Sequence, residues 1–182
     1  MTPAPPDRAG AVPAVFFDRD GTLNVKAPEG EYVVRPDDVV LLPGAAEAVR
    51  LANDHGWPVV VVTNQRCVSL GLASAADVDS VNARVAALVA ERGGRVDAWY
   101  VCPHGHGECD CRKPAPGLLL QAATDLDLAV DGSVLVGDSD SDMAAAAAAG
   151  AAAQRVGPSR SPLDAVESWF AEDAGRPAAS SS

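Results

Sequence analysis

Aromatic residues are scarce: three Trp, two Tyr and three Phe in 182 residues. A core of this chain cannot rest on rings and must be filled by Val, Leu and the very frequent Ala, which suits helices packed on a parallel sheet. Positive charge is short as well. Fourteen Lys and Arg stand against twenty-five Asp and Glu, a formal net charge of −11, and this excludes the basic face that nucleic-acid binding needs. No apolar run is long and charge-free enough to span a bilayer. The opening residues Met1-Thr2-Pro3-Ala4-Pro5-Pro6-Asp7 lack the basic and apolar regions of a secretory signal. The expectation is a cytoplasmic chain with no membrane and no nucleic-acid partner. There are only four cysteines, and Cys102, Cys109 and Cys111 fall within ten residues with histidine among them. In a cytoplasmic chain that clustering points to metal rather than to a disulfide.

Between Pro/Ala-rich residues 1–11 and the Gly/Ala/Ser tail 173–182, both read as disordered, the pattern alternates strand and helix over a single domain, 12–172. Strands are expected at 12–17, 58–63, 98–101, 133–136 and 152–156, and helices at 45–55, 75–92, 117–126, 142–149 and 162–171. Ser74 is the expected N-cap of the second helix. This order means crossover connections and a parallel sheet, an α/β fold. No insert is long enough for a large cap domain; the longest candidate loop is 25–42.

Three strand ends carry polar signatures: Asp18-Arg19-Asp20, Thr63-Asn64-Gln65 and Gly137-Asp138-Ser139-Asp140. Open α/β sheets place their sites at the carboxyl ends of strands. Asp18 and Asp20 there would repel each other unless a cation holds them. With Asp138 they could share a Mg²⁺, which takes hard oxygen ligands. Asp18 would then be competent as a nucleophile toward phosphorus and Asp20 as general acid and base. Thr63 and Asn64 offer donors for phosphoryl oxygens, and Lys113 a positive charge for the transferring group. The acidic run Asp138, Asp140 and Asp142 also suits a helix N-terminus. It lacks the spaced Gly and distant Glu of an EF-hand.

The run Cys102-Pro103-His104-Gly105-His106-Gly107-Glu108-Cys109-Asp110-Cys111 offers three thiolates and an imidazole, a closed tetrahedral set for structural Zn²⁺. His104 is the favoured imidazole and His106 the spare; Cys67 stands apart as an ordinary small side chain. Arg112-Lys113-Pro114 follows directly, so a metal in this loop would place both cations over the phosphate site.

Asp18-Arg19-Asp20-Gly21-Thr22, Thr63-Asn64, Lys113-Pro114 and Gly137-Asp138-Ser139-Asp140-Ser141-Asp142 resemble the four motifs of the haloacid dehalogenase-like (HAD) phosphohydrolases. The resemblance implies a three-layer, Rossmann-like fold and a phosphoaspartyl intermediate on Asp18. It also implies Mg²⁺ held by Asp18, the Asp20 backbone carbonyl and Asp138, with Asp142 supporting the metal's waters. The zinc loop together with Glu31-Tyr32-Val33, Leu42-Pro43-Gly44 and Thr63-Asn64-Gln65 is similar to the capless, zinc-containing branch. That branch hydrolyses heptose 1,7-bisphosphate or histidinol phosphate, with the arginine matching Arg112 gripping substrate. The expected substrate is a small phosphorylated sugar, a heptose 1,7-bisphosphate, and the expected enzyme a monomer. Two features depart from that pattern: Arg66-Cys67 in place of Ser-Gly, and a short loop between the zinc ligands. Both bear on the sugar rather than on the chemistry.

Overall fold

The structure, a computed structural model, describes residues 10–173. The expected tails 1–11 and 173–182 lie almost entirely outside the described residues. Five strands, β1 (Val15–Phe17), β2 (Val59–Asn64), β3 (Ala98–Cys102), β4 (Val134–Gly137) and β5 (Ala152–Arg155), form one sheet in the order β3-β2-β1-β4-β5. All neighbours run parallel. Successive connections leave β1 on one side to reach β2 and β3 and on the other to reach β4 and β5, so the order reverses at β1. That is where such sheets open a crevice at their carboxyl edge.

Strand geometry divides the core in two. Alternate residues point to opposite faces, and the apolar residues follow that division. Val15, Phe17, Val59, Val61, Val134 and Val136 join one buried cluster with residues of α1 (Ala45–Asp54), α2 (Ala75–Ala90) and α5 (Pro162–Asp173). Phe16, Val60, Val62 and Leu135 join the other with α3 (Gly117–Leu126) and α4 (Asp140–Ala149). Helices on both faces of the sheet make the three layers expected from the alternation of elements. No helix among the described residues is long and apolar enough to cross a membrane.

Element ends differ from the sequence expectation where side chains cap or bridge. β1 starts at Val15 rather than at 12, because Val12 pairs separately with Leu128 and Pro13 has no N–H to give. α4 starts at Asp140 rather than at 142. Ser139 caps it by accepting from the Asp142 N–H, and the Asp142 carboxylate accepts in return from Ser139 N–H. The same reciprocal box, Ser74 with Asp77, opens α2. The 25–42 segment is not a domain; it carries one short 3₁₀ turn, Pro36–Asp38, and pairs Asn24 with Leu41.

The start of α3 packs on the Cys-rich loop. A Cβ at Gly117 would lie inside contact distance of the Asp110 carbonyl oxygen and 2.7 Å from Cys111 Cα. Replacing a helical Gly by Ala ordinarily stabilises by about 1 kcal/mol. Here the overlap is with backbone, and the sign should reverse. Gly117→Ala is expected to destabilise by about 1–3 kcal/mol, lowering the midpoint of a thermal melt by several degrees. An unchanged or raised midpoint would contradict this packing.

Candidate active site and metal centre

The carboxyl ends of β1, β2 and β4 bring the polar signatures together. A small cleft of about 140 Å³ is lined by Asp18, Asp20, Thr63, Asn64, Lys113, Ser139, Ser141 and Asp142. At its floor lies the buried ammonium of Lys113, 2.7 Å from Asp18 Oδ1, 2.6 Å from Asp142 Oδ1 and 2.8 Å from the Val62 carbonyl oxygen. It donates hydrogen bonds to Asp18 and to the Val62 carbonyl and is ion-paired with Asp142. Burial by itself would lower Lys113, but Asp18 and Asp142 hold it above its ordinary value. It is a fixed cation. Burial pushes the Asp18 carboxyl up to about 7; Lys113 opposes that rise, while Asp142 and Asp20 add to it. One ammonium is too little charge for this many carboxylates.

Asp18, Asp138 and Asp142 offer carboxylate oxygens within 4.8 Å of one another. These are hard oxygen donors, of the kind Mg²⁺ takes. The backbone is shaped around them. Gly21 sits at φ +88°, and a Cβ there would collide with the Asp138 carboxylate. The exposed Lys26 ammonium reaches Asp138 Oδ2 at 2.6 Å, so a cation already balances that carboxylate. The residues fit a divalent ion at Asp18 and Asp138. Asp142 is ion-paired at Oδ1 with Lys113 and accepts at Oδ2 from Ser139. Asp140 is turned to solvent and pairs with Arg155.

The phosphate donors read from the sequence stand at the cleft in different ways. Thr63 Oγ1 accepts from Gln65 Nε2 at 2.9 Å, which leaves its own proton free to donate. Asn64 spends its amide on the peptide of Lys113: Nδ2 donates to the Lys113 carbonyl at 3.0 Å, and Oδ1 accepts from the Lys113 N–H at 3.1 Å. The amide read as a phosphoryl donor thus also clamps the Lys113 peptide, and its second Nδ2 proton stays available in the cleft that Asn64 lines. Arg112 lies outside the lining of this cleft, and its Nη1 donates to the His104 carbonyl at 3.2 Å.

Asp20 is held by residues that sequence reasoning did not single out. Its carboxylate accepts from Gln65 Nε2 at 2.7 Å, Asn24 Nδ2 at 2.9 Å and Arg19 Nη2 at 3.0 Å. Arg19, read only as part of a motif, is fully buried. An arginine between two aspartates that precede Gly-Thr could have signalled this, since a buried guanidinium needs a carboxylate partner.

The Cys-rich loop closes on itself. Cys102 Sγ lies 3.6 Å from Cys109 Sγ and 3.7 Å from His104 Nδ1; Cys111 Sγ lies 3.1 Å from Cys109 Sγ and 3.3 Å from His104 Nδ1. Two sulfurs on one tetrahedral zinc stand about 3.8 Å apart, so the four atoms fit one ion with little adjustment. No disulfide joins them, and His106 is not in the cluster. Burial pushes Cys102 up. Burial and neighbouring sulfurs push Cys111 up to about 12, whereas Cys109, though desolvation opposes it, is drawn down to about 7 by donors from Cys111 and the Arg112 backbone. Three thiols crowded this way lack the positive charge that would let all ionise. Gly105 N–H donates to Glu108 Oε2 at 2.7 Å and tightens the loop.

Known proteins are similar to this chain in sequence and in fold. A family model described as HAD-hydrolase-like matches residues 110–168. D-glycero-beta-D-manno-heptose-1,7-bisphosphate 7-phosphatase of Pseudomonas putida is 40% identical over 126 residues, 69% of this chain and 71% of the relative. The enzyme of that name from Escherichia coli K12 is 38% identical over 138 residues, 71% of each chain. The crystal structure of D,D-heptose 1,7-bisphosphate phosphatase from Bordetella bronchiseptica, complexed with magnesium and phosphate, superposes with a TM-score of 0.79 at 30% identity, over 88% of this chain and 99% of that one. A HAD-like phosphatase structure from Mesorhizobium loti gives 0.75 at 34% identity, over 87% and 88%. With Asp18, Lys113 and Asp138 gathered at the switch point of a parallel sheet, and with relatives this similar over this much of its length, the chain belongs to the haloacid dehalogenase-like superfamily of hydrolases.

Proposed function

We propose that this chain is a magnesium-dependent phosphomonoesterase that removes the 7-phosphate of a heptose 1,7-bisphosphate through a phosphoaspartyl intermediate. The observation that carries the chemistry is the buried Lys113 ammonium shared by Asp18 and Asp142 beside a cleft that Asp20 and Thr63 also line. The likeness to curated heptose-1,7-bisphosphate 7-phosphatases supports the substrate.

Asp18 is the nucleophile. Its carboxylate oxygen attacks phosphorus as the bond from phosphorus to the sugar oxygen breaks, and the Asp20 carboxyl gives that departing oxygen its proton. Water then attacks the phosphoaspartate, Asp20 takes the water's proton, and the bond from phosphorus to Asp18 breaks to release phosphate. The hydrogen bonds from Arg19, Asn24 and Gln65 fix the orientation of the Asp20 carboxyl. Lys113 and the Thr63 hydroxyl face the charge that develops on the phosphoryl oxygens. Asp18, Asp138 and the Asp20 backbone carbonyl would hold Mg²⁺, which when bound supplies charge stabilisation for the transferring group. Cys102, His104, Cys109 and Cys111 would hold structural Zn²⁺. It would stiffen the loop that delivers Lys113 and also Arg112, whose proposed part is to grip substrate beyond the reacting phosphate. The proposed enzyme is a monomer with a single domain over residues 12–172, acting in the cytoplasm.

Asp18→Asn should lower phosphate release by about 10³-fold or more; turnover close to wild type would remove Asp18 as the nucleophile. Against histidinol phosphate, heptose 1,7-bisphosphate should be preferred at least about tenfold in kcat/KM, a difference of about 1.4 kcal/mol. The opposite preference would reassign the substrate. Stripping metal from the cysteine loop, verified by elemental analysis, should lower the melting midpoint and reduce activity even with Mg²⁺ in excess. Full activity in protein free of zinc would remove the loop's preorganising part.

A further inference from the structure

Asp20 is reached from behind by a chain of polar contacts that begins on α2. The residues buried on that helix are Val78, Val81, Val85, Val89 and one polar side chain, Asn82. Asn82 Oδ1 accepts from Arg19 Nη1 at 2.8 Å. The opposite edge of the same guanidinium grips Asp20: Nη2 lies 3.0 Å from Oδ2, and Nε and Nη2 each lie 3.3 Å from Oδ1. Nη2 also lies 3.4 Å from the Val33 carbonyl oxygen of the 25–42 segment. A guanidinium is planar and its donors stand in a rigid fork. Pinned at one corner by Asn82, it cannot swivel, so the plane of the Asp20 carboxylate is set by a residue 62 positions away in sequence that never enters the cleft.

Packing alone does not call for this residue. An apolar side chain would suit its valine-rich surroundings better, since burying an amide costs free energy unless it finds partners. Nor does Arg19 need Asn82 for its charge, which Asp20 neutralises. What Asn82 adds is direction.

We propose that Asn82 is a positioning residue for the phosphatase reaction: acting through Arg19, it holds the Asp20 carboxyl where it can hand its proton to the departing oxygen. This rests on the reading of Asp20 as general acid. The effect belongs to the first phosphoryl transfer, which kcat/KM reports, and it depends on the leaving group. A sugar alkoxide needs a proton as it departs; p-nitrophenolate does not.

The test compares kcat/KM for the sugar bisphosphate and for p-nitrophenyl phosphate. Asn82→Leu keeps the branched shape and removes the acceptor. It should lower the value about tenfold for the sugar and less than about threefold for the nitrophenyl ester, because a misdirected acid loses part of a contribution that spans about 10²–10⁴. Asn82→Asp restores an acceptor and should recover the sugar value to within about threefold. Parallel losses on both substrates, or no recovery in Asn82→Asp, would overturn the proposal. If Asn82→Leu fails to fold, Asn82→Ser is read by the same ratio. Asp20→Asn is measured alongside and should show the same selectivity more strongly. If it loses both activities equally, the general-acid reading fails and this proposal with it. If Asp20→Asn is selective and the Asn82 variants are not, only the role of Asn82 is refuted.

Discussion

One buried ammonium organises this protein. Lys113 brings a positive charge between Asp18 and Asp142, both of them buried. Taking charges out of water costs several kcal/mol per ion unless each finds a partner. Without Lys113 the ends of β1 and of the β4–α4 turn would hold two unscreened carboxylates in a dry crevice. With it, the pair becomes a triad whose remaining negative charge faces the side where Asp138 stands. The chain is acidic throughout and this cleft keeps a negative balance too, so an anion could approach only with the divalent cation that Asp18 and Asp138 would hold.

The position of Lys113 is itself contingent. It follows directly on the cluster of Cys102, His104, Cys109 and Cys111, and its peptide is clamped on both sides by the Asn64 amide. Loop residues carry function only when a rigid scaffold positions them. Here the scaffold has three parts: the loop drawn together by sulfur and imidazole, the end of β2, and the backbone of Asp110 and Cys111 lying against Gly117 at the start of α3. A metal held by this loop would supply no chemistry itself and would govern chemistry through distance alone.

Asp20 is governed separately. Lys113 does not touch it; Arg19, Asn24 and Gln65 do. The proposed nucleophile and acid/base are only two residues apart in sequence, yet they sit in different polar networks, one built on the Lys113 ammonium, the other on amides and a guanidinium reaching back to α2. Neighbouring carboxyl groups take different parts in a reaction only in different surroundings, and here their partners supply them, Lys113 for Asp18 and Arg19, Asn24 and Gln65 for Asp20.

The sequence by itself determined the elements and the chemistry-bearing residues. Alternation of apolar runs with helical spacing marked the five strands and five helices to within a few residues, because burial on both faces of a parallel sheet leaves continuous apolar strands. The carboxylates, Lys113 and the Cys/His run stood out because their spacing carries a mechanism. Only the tertiary structure decided their partners. Nothing local to Asn64 says that its amide will clamp a peptide 49 residues away, nor that Lys26 will answer Asp138 across 112 residues. The same holds for Arg19 and Asn82, which are unremarkable in sequence and become a directed pair only once α2 packs against the sheet. Periodicity and residue chemistry are written locally. Hydrogen-bond partners are settled by which buried donors and acceptors the fold brings within three ångströms, because few polar groups can be buried unpaired.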